Sequence, residues 1–196
     1  RFDTIRKMWK EIKLIGSPVS PRTGARASMN NHVIIVFGGY NGSEYLGDLH
    51  CIDTRSGNVA FVETHGIAPS PRSTPVVAVY GENYYVWGGF NGSYPSELNV
   101  LNMRMKEWTT IKQSQIPGRT SVASVLIGNS VYVFGGSRQG GFVQIDLVDK
   151  AIRNVMTIGV EPPSAVLGAG MTAVGDFIFF FGGKSSNQYS LFYCCD

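Results

Sequence analysis

The sequence is poor in the features that mark most specialised classes of protein. Its longest apolar runs, such as Val33–Phe37 and Phe177–Phe181, are five residues, against roughly 20 for a helix that crosses a bilayer. No membrane-spanning helix, and no membrane partner, is therefore expected. Cysteine is scarce, with three in 196 residues and two of them adjacent at Cys194 and Cys195. An odd count without CxxC spacing suits a reducing, cytoplasmic compartment better than a disulfide scaffold. The net charge of +3 is too small to imply a nucleic-acid partner. His32, His50 and His65 lie apart with no HxH or HExxH spacing, so no metal and no cofactor is expected. A Gly-x-Ser-x-Gly nucleophile signature is missing too, and no catalytic residue is assigned. The chain starts at Arg1 with neither an initiator Met nor a secretion signal, which reads as a segment of something larger.

What is present is a period. Glycine pairs close apolar runs at Gly38-Gly39, Gly88-Gly89, Gly135-Gly136 and Gly182-Gly183. About 27 to 30 residues before each pair lies a bulky apolar residue with a branched aliphatic three positions on: Trp9/Ile12, Val59/Val62, Trp108/Ile111 and Ile152/Val155. Between these marks sits a turn, "SPVSPRTG", "APSPRSTP", "IPGRTS" or "EPPSAVLG". Each period holds short runs rich in Val, Ile, Phe and Tyr, none with the length and spacing of an amphipathic helix. In the second unit the expected strands are Val76–Tyr80, Tyr84–Trp87, Leu98–Leu101 and Trp108–Lys112. A four-stranded sheet with a nearly all-apolar second strand needs cover on both faces. Neighbouring units supply it if the sheets stack around an axis, as in a β-propeller.

On these motifs the sequence resembles the kelch-repeat family, whose marks are a Gly-Gly pair closing the second strand, spaced aromatics, and a Trp in the fourth strand. The resemblance covers essentially the whole chain. It departs from the pattern where Val59 and Ile152 replace the Trp, and where the last unit stops after its third strand. The implied fold is all-β, a propeller of four-stranded antiparallel blades, about four in this segment. Residues 1–14 read as the fourth strand of a preceding or closing blade, 15–65, 66–112 and 113–158 as blades, and 159–196 as an incomplete blade. Sixteen strands result. Trp9–Leu14 could complete the last blade and close a four-bladed ring, or both ends could be cuts through a larger propeller. Gly38, Gly39, Gly88, Gly89, Gly135, Gly136, Gly182, Gly183, Trp9 and Trp108 are read as structural.

The resemblance also implies where recognition occurs. In family propellers the loops joining one blade's fourth strand to the next blade's first, and those joining second to third strands, emerge on one face. Here that face collects Arg22, Arg72, Arg119, Arg138 and Lys184, with Asn41, Ser43, Asn91, Ser93, Gln139 and Asn187, and the aromatics Tyr40, Phe90 and Tyr94. Arginine forks suit carboxylates, and aromatics with arginine dominate interface energies. In similar ubiquitin-ligase adaptors the corresponding arginines grip acidic peptides. The alternative for each Arg is a turn anchor, its guanidinium satisfied by carbonyls or by an acid such as Asp48. Enzymes of the fold class provide little further match. The iron-holding kelch series begins with Glu44 and Asp48 but fails at Ile52, and the Tyr, His and Cys set of the copper-radical oxidases cannot be assembled. Asn41 and Asn91 each begin an Asn-Gly-Ser that also fits an N-glycosylation acceptor, although a turn accounts for both. The function expected is a protein-interaction scaffold or adaptor whose loops take a protein partner, with an acidic segment as the candidate ligand. The alternative is a structural propeller within a larger enzyme or assembly, with further repeats or domains attached.

Overall fold

A computed structural model describes residues 1–112, 115–137, 141–160, 162, 165–184 and 192–195. Its described residues form strands and turns, with no helix. A hairpin comes first, β1 (Phe2–Asp3) and β2 (Met8–Trp9), followed by the two-residue strand β3 (Ile15–Gly16). Blade one is β4 (Arg26–Asn30), β5 (Val33–Tyr40), β6 (Tyr45–Asp53) and β7 (Asn58–Phe61). After β8 (His65–Gly66) comes blade two, β9 (Val76–Tyr80), β10 (Asn83–Trp87), β11 (Leu98–Asn102) and β12 (Glu107–Ile111). Blade three is β13 (Ala123–Ile127), β14 (Ser130–Phe134), β15 (Phe142–Asp146) and β16 (Ala151–Val155). Blade four is β17 (Gly170–Val174), β18 (Phe177–Phe181) and β19 (Phe192–Cys195).

The blades are antiparallel meanders, each strand paired to the next, as the four expected runs of the second unit require. Three short strands, β1, β3 and β8, go beyond the sixteen that the sequence suggests. β3 and β8 come from the linker before a blade and pair in parallel with that blade's outer strand, Ile15 with Asn58 and His65 with Glu107. They cap edges that would otherwise present unpaired backbone groups.

Alternation along each second strand sends successive side chains to opposite neighbours. In blade two, Tyr84 and Val86 join Ile35, Phe37 and Trp108 in one cluster, while Tyr85 and Trp87 join Val131, Val133 and Ile145 of blade three in another. A third cluster unites Phe134 and Phe142 of blade three with Ile178 and Phe180 of blade four. The core is therefore a series of sheet-to-sheet contacts, which is why the second strands read as continuous apolar runs.

The glycine pairs have a specific task at these contacts. Gly38, Gly88 and Gly135 have φ of 67°, 65° and 72°, and a Cβ on each would lie 2.5, 2.5 and 2.6 Å from the carbonyl oxygens of Arg72, Arg119 and Val166. The second glycine donates to that same oxygen: Gly39 N to Arg72 O at 2.9 Å, Gly89 N to Arg119 O at 2.8 Å and Gly136 N to Val166 O at 2.8 Å. Each pair is thus the latch by which one blade holds the next blade's entering loop, and only glycine permits both the left-handed turn and the approach.

Trp9 requires a correction. Read as a structural residue of a fourth strand, it is instead 80% exposed, touching Phe2 across its hairpin with ring centroids 5.0 Å apart. The hairpin forms a two-stranded sheet of its own and does not join the strands of blade four. Trp108, its counterpart, is 3% exposed because Phe37 and Tyr84 pack on it at 6.2 and 6.3 Å.

Candidate functional site

The loops singled out from the sequence are brought together in pairs. Within blade one, the entering loop and the β5–β6 loop are tied by reciprocal backbone bonds between Thr23 and Tyr40, 2.9 and 2.8 Å. Ser73 and Phe90 repeat this in blade two, and Leu167 and Lys184 in blade four. The two classes of loop therefore share one end of blades one, two and four, held by the sheet beneath them.

Arg22, Arg72 and Arg119 do not stand free on that end, and of the two roles read from the sequence the geometry of Arg22 and Arg72 is that of the turn anchor. The Arg22 side chain is 5% exposed and Arg72 is fully buried. Arg22 donates to the Ser20 carbonyl and hydroxyl, to the Gly38 carbonyl, and through both terminal nitrogens to Asp48 at 2.5 and 2.9 Å. Arg72 repeats the set with Ser70, Gly88 and Glu97, the last at 2.7 Å. These are charge-assisted bonds in a fixed fork geometry, and they serve to anchor the turn. Burial works against the charge on Arg72 and Glu97 works for it, leaving its pKa below the ordinary value. Asp48 Oδ2 also accepts from His50 Nε2 at 2.7 Å. Burial pushes the Asp48 carboxyl up, but Arg22 and His50 outweigh that and hold it below the usual range.

Of the two acids only Asp48 was read from the sequence, although a shared signal exists. Asp48 and Glu97 each directly precede the leucine, Leu49 or Leu98, that pairs with the aromatic end of the second strand, Phe37 or Trp87. Arg119 is also buried, at 3% exposed. Its described bond is from Nη1 to the carbonyl of Gly141, 3.0 Å.

What does face outward is aromatic. Tyr40, Tyr45, Phe90 and Tyr94, all half-buried, form a row across the boundary of blades one and two: Tyr40–Tyr45 at 5.1 Å, Tyr45–Phe90 at 5.9 Å edge-on, Phe90–Tyr94 at 5.1 Å. Tyr45, absent from the sequence-based set, is the link between blades. Two Asn-Gly-Ser turns flank the row. Asn41 Oδ1 accepts from Ser43 N and Oγ, both 2.9 Å, and Asn91 Oδ1 does the same with Ser93 at 3.2 and 2.8 Å. Side chain–backbone closure of this kind fixes a turn locally. Lys184 is exposed at the far end of the series. Arg138, Gln139 and Asn187 lie outside the described residues.

A pattern of antiparallel blades latched by glycine pairs, with turn-anchoring arginines at one end, defines a kelch-type β-propeller. The chain belongs to the kelch-repeat family: residues 1–136 match the model described as KLHDC2/KLHL20/DRC7 Kelch-repeats domain. It is 34% identical over 137 residues to acyl-CoA-binding domain-containing protein 5 of Arabidopsis thaliana, a match covering 65% of this chain and 21% of that protein. To human host cell factor 2 it is 30% identical over 157 residues, covering 67% of this chain and 20% of the relative. The chain thus spans about a fifth of the length of these relatives. In fold it is similar to the solved structure of YjhT, with a TM-score of 0.70 and 18% identity over 87% of this chain and 61% of that one. These likenesses mark a kelch-repeat propeller domain. No group of three or more His, Cys, Asp or Glu side chains that could hold a metal occurs among the described residues.

Proposed function

We propose that this segment is a protein-docking scaffold or adaptor in the cytoplasm, without catalysis of its own, that takes a protein partner on the loop end of blades one and two. The observation that carries the reading is the aromatic row Tyr40–Tyr45–Phe90–Tyr94, set between two rigid Asn-Gly-Ser turns. Large, partly exposed rings on a preorganised surface contribute contact area at low entropic cost, and aromatic anchors dominate interface energies. Asn41, Ser43, Asn91 and Ser93 supply polar groups at the rim. Any preference for an acidic segment falls to cations that are not already consumed, since Arg22 and Arg72 are.

The test is interaction profiling by crosslinking and mass spectrometry, comparing the wild-type chain with Tyr45→Ser/Phe90→Ser after circular dichroism shows both folded. Loss of a discrete set of crosslinked proteins supports the docking role. An unchanged set on a folded double variant overturns it.

A second reading is favoured by blade four. Phe181 is 57% and Phe177 45% exposed, although Phe37, Trp87 and Phe134, the residues equivalent to Phe181, are at most 1% exposed. Such a face belongs in contact with other protein, consistent with a structural propeller domain in a larger enzyme or multi-subunit assembly. Hydrogen exchange of β18 in the full assembly, slower than in the isolated chain, is its signature.

A further inference from the structure

The two Asn-Gly-Ser turns are identical in sequence and differ in how the structure holds the asparagine. In blade one, Asn41 and Gly42 are exposed. Asn41 Oδ1 accepts from three donors, the Ser43 amide and hydroxyl and the Glu44 amide, each at 2.9 Å. Its Nδ2 has only a long contact of 3.5 Å to Glu44 Oε1. In blade two, Asn91 is half-buried. Its Oδ1 accepts from the amide and hydroxyl of Ser93, and its Nδ2 donates to Ser70 Oγ at 3.0 Å. Ser70 Oγ also accepts from Nη2 of the buried Arg72, so this carboxamide is tied to the entering loop. Ser20, the counterpart in blade one, holds Arg22 in the same way at 2.7 Å, but among the described residues Asn41 does not donate to it.

These differences bear on a reaction internal to the turn. In an Asn-Gly pair the glycine nitrogen can attack the asparagine Cγ, because glycine has no side chain to hinder the approach. A bond forms between Gly42 N and Asn41 Cγ, the Cγ–Nδ2 bond breaks, and the Gly42 amide proton leaves with Nδ2 as ammonia. Water then opens the cyclic imide at Cγ to give aspartate, or at the main-chain carbonyl of residue 41 to give isoaspartate. The blade-one turn meets each requirement. Donors on Ser43 and Glu44 fold the carboxamide back over the Gly42 amide, which brings the reacting atoms together. They also polarise its carbonyl, where negative charge develops during the attack. Gly42 N–H makes no hydrogen bond among the described residues, and a Cβ on Gly42 would meet no atom of them within 4 Å, so base and water reach the amide. The leaving nitrogen is not retained by a neighbouring loop, as that of Asn91 is.

We propose that Asn41 is a self-modifying site, converted through Gly42 to aspartate or isoaspartate, and that Ser70 protects Asn91 from the same reaction. The aspartate product suits the turn already present. At Asp53 and Asp146 the chain uses a carboxylate Oδ1 to accept from the amides two and three residues on, at 2.8 to 2.9 Å. Conversion to aspartate therefore adds a negative charge beside Tyr40, on an exposed rim, with the donors of the loop still satisfied. Solvent and salt screen this charge from its neighbour Glu44. The site holds whether or not the aromatic row takes a partner; where it does, the charge of the rim changes with the age of the chain.

The experiment incubates the folded chain, and the same chain unfolded in urea, in mildly alkaline buffer. Peptide mapping by mass spectrometry follows the amide-to-acid mass change at residues 41 and 91. In urea the two asparagines, each followed by Gly-Ser, are expected to convert at similar rates. In the folded chain Asn41 is expected to lead Asn91 by about fivefold or more, the effect of one hydrogen bond retained by the leaving nitrogen. Ser70→Ala, shown to be folded by circular dichroism, is expected to bring Asn91 toward the rate of Asn41. Equal rates in the folded chain, an Asn41 that converts in urea but not when folded, or an Asn91 left slow by Ser70→Ala overturns the proposal. Should Ser70→Ala not fold, the wild-type comparison of folded and unfolded chains decides the matter by itself.

Discussion

The Nη2 of Arg72 lies 2.7 Å from Oε1 of Glu97, with the arginine side chain fully buried and the glutamate 28% exposed. This ion pair ties the loop entering blade two to the start of β11 and leaves Arg72 no free donor face. Removing one member strands the other, a mechanism that costs about 3–5 kcal/mol for buried pairs. Arg72→Met is expected to fall in that range by urea denaturation. Glu97→Gln, which keeps an acceptor, is expected to cost less, about 1–3 kcal/mol. A combined Arg22→Ala/Arg72→Ala/Arg119→Ala chain is therefore expected to unfold, and loss of a partner from it would report on the fold and not on recognition.

The glycine latches differ in what surrounds them. Gly88 combines a φ of 65° with an approach of 2.5 Å to a carbonyl oxygen, whereas Gly182, φ 71°, has no atom of the described residues within 4 Å of its Cβ position. Gly182→Ala bears only the left-handed penalty of about 1–2 kcal/mol. Gly88→Ala adds displacement of the Arg119 backbone and is expected to cost about 3 kcal/mol or more. Paired thermal denaturation curves of the two variants check the order; equal losses would remove the latch from the account.

Two adjacent tyrosines make opposite predictions. Tyr84 is fully buried and its hydroxyl has no partner, and burial pushes that hydroxyl's pKa well up. Tyr85 donates from its hydroxyl to the Leu147 carbonyl at 2.7 Å, joining blade two to blade three. Tyr84→Phe is expected to raise stability by about 1 kcal/mol and Tyr85→Phe to lower it by about the same. Denaturant midpoints for both, measured together, decide the matter.

Acid should expose the Arg22–Asp48–His50 cluster. The Asp48 carboxyl is held below its ordinary value, so its contribution to stability is full above the unfolded-state pKa and is lost as pH falls through the lower folded one. Asp48→Asn is expected to flatten the loss of stability on acidification below about pH 4. Asp53 shifts in the same direction through backbone donors at Ser56 and Arg55, and remains in the variant as the background slope. Stability measured against pH for both chains gives the difference; superimposed curves would show that Asp48 is not a contributor.

The sequence by itself determined the repeat, the strand-rich unit and the glycine pairs, because each depends on local chemistry: a left-handed turn needs glycine, and a doubly covered strand needs an unbroken apolar run. The family followed from the same marks. It also placed Arg22, Arg72 and Arg119 at one turn of each unit, and the alternative of an anchoring role was already legible with Asp48 named as a partner. Only the tertiary structure decided between fork and anchor, since Asp48 and Glu97 lie 26 and 25 residues from their arginines and reach them only when the third strand folds back beside the second. The same holds for Tyr45, whose neighbour Phe90 belongs to another blade.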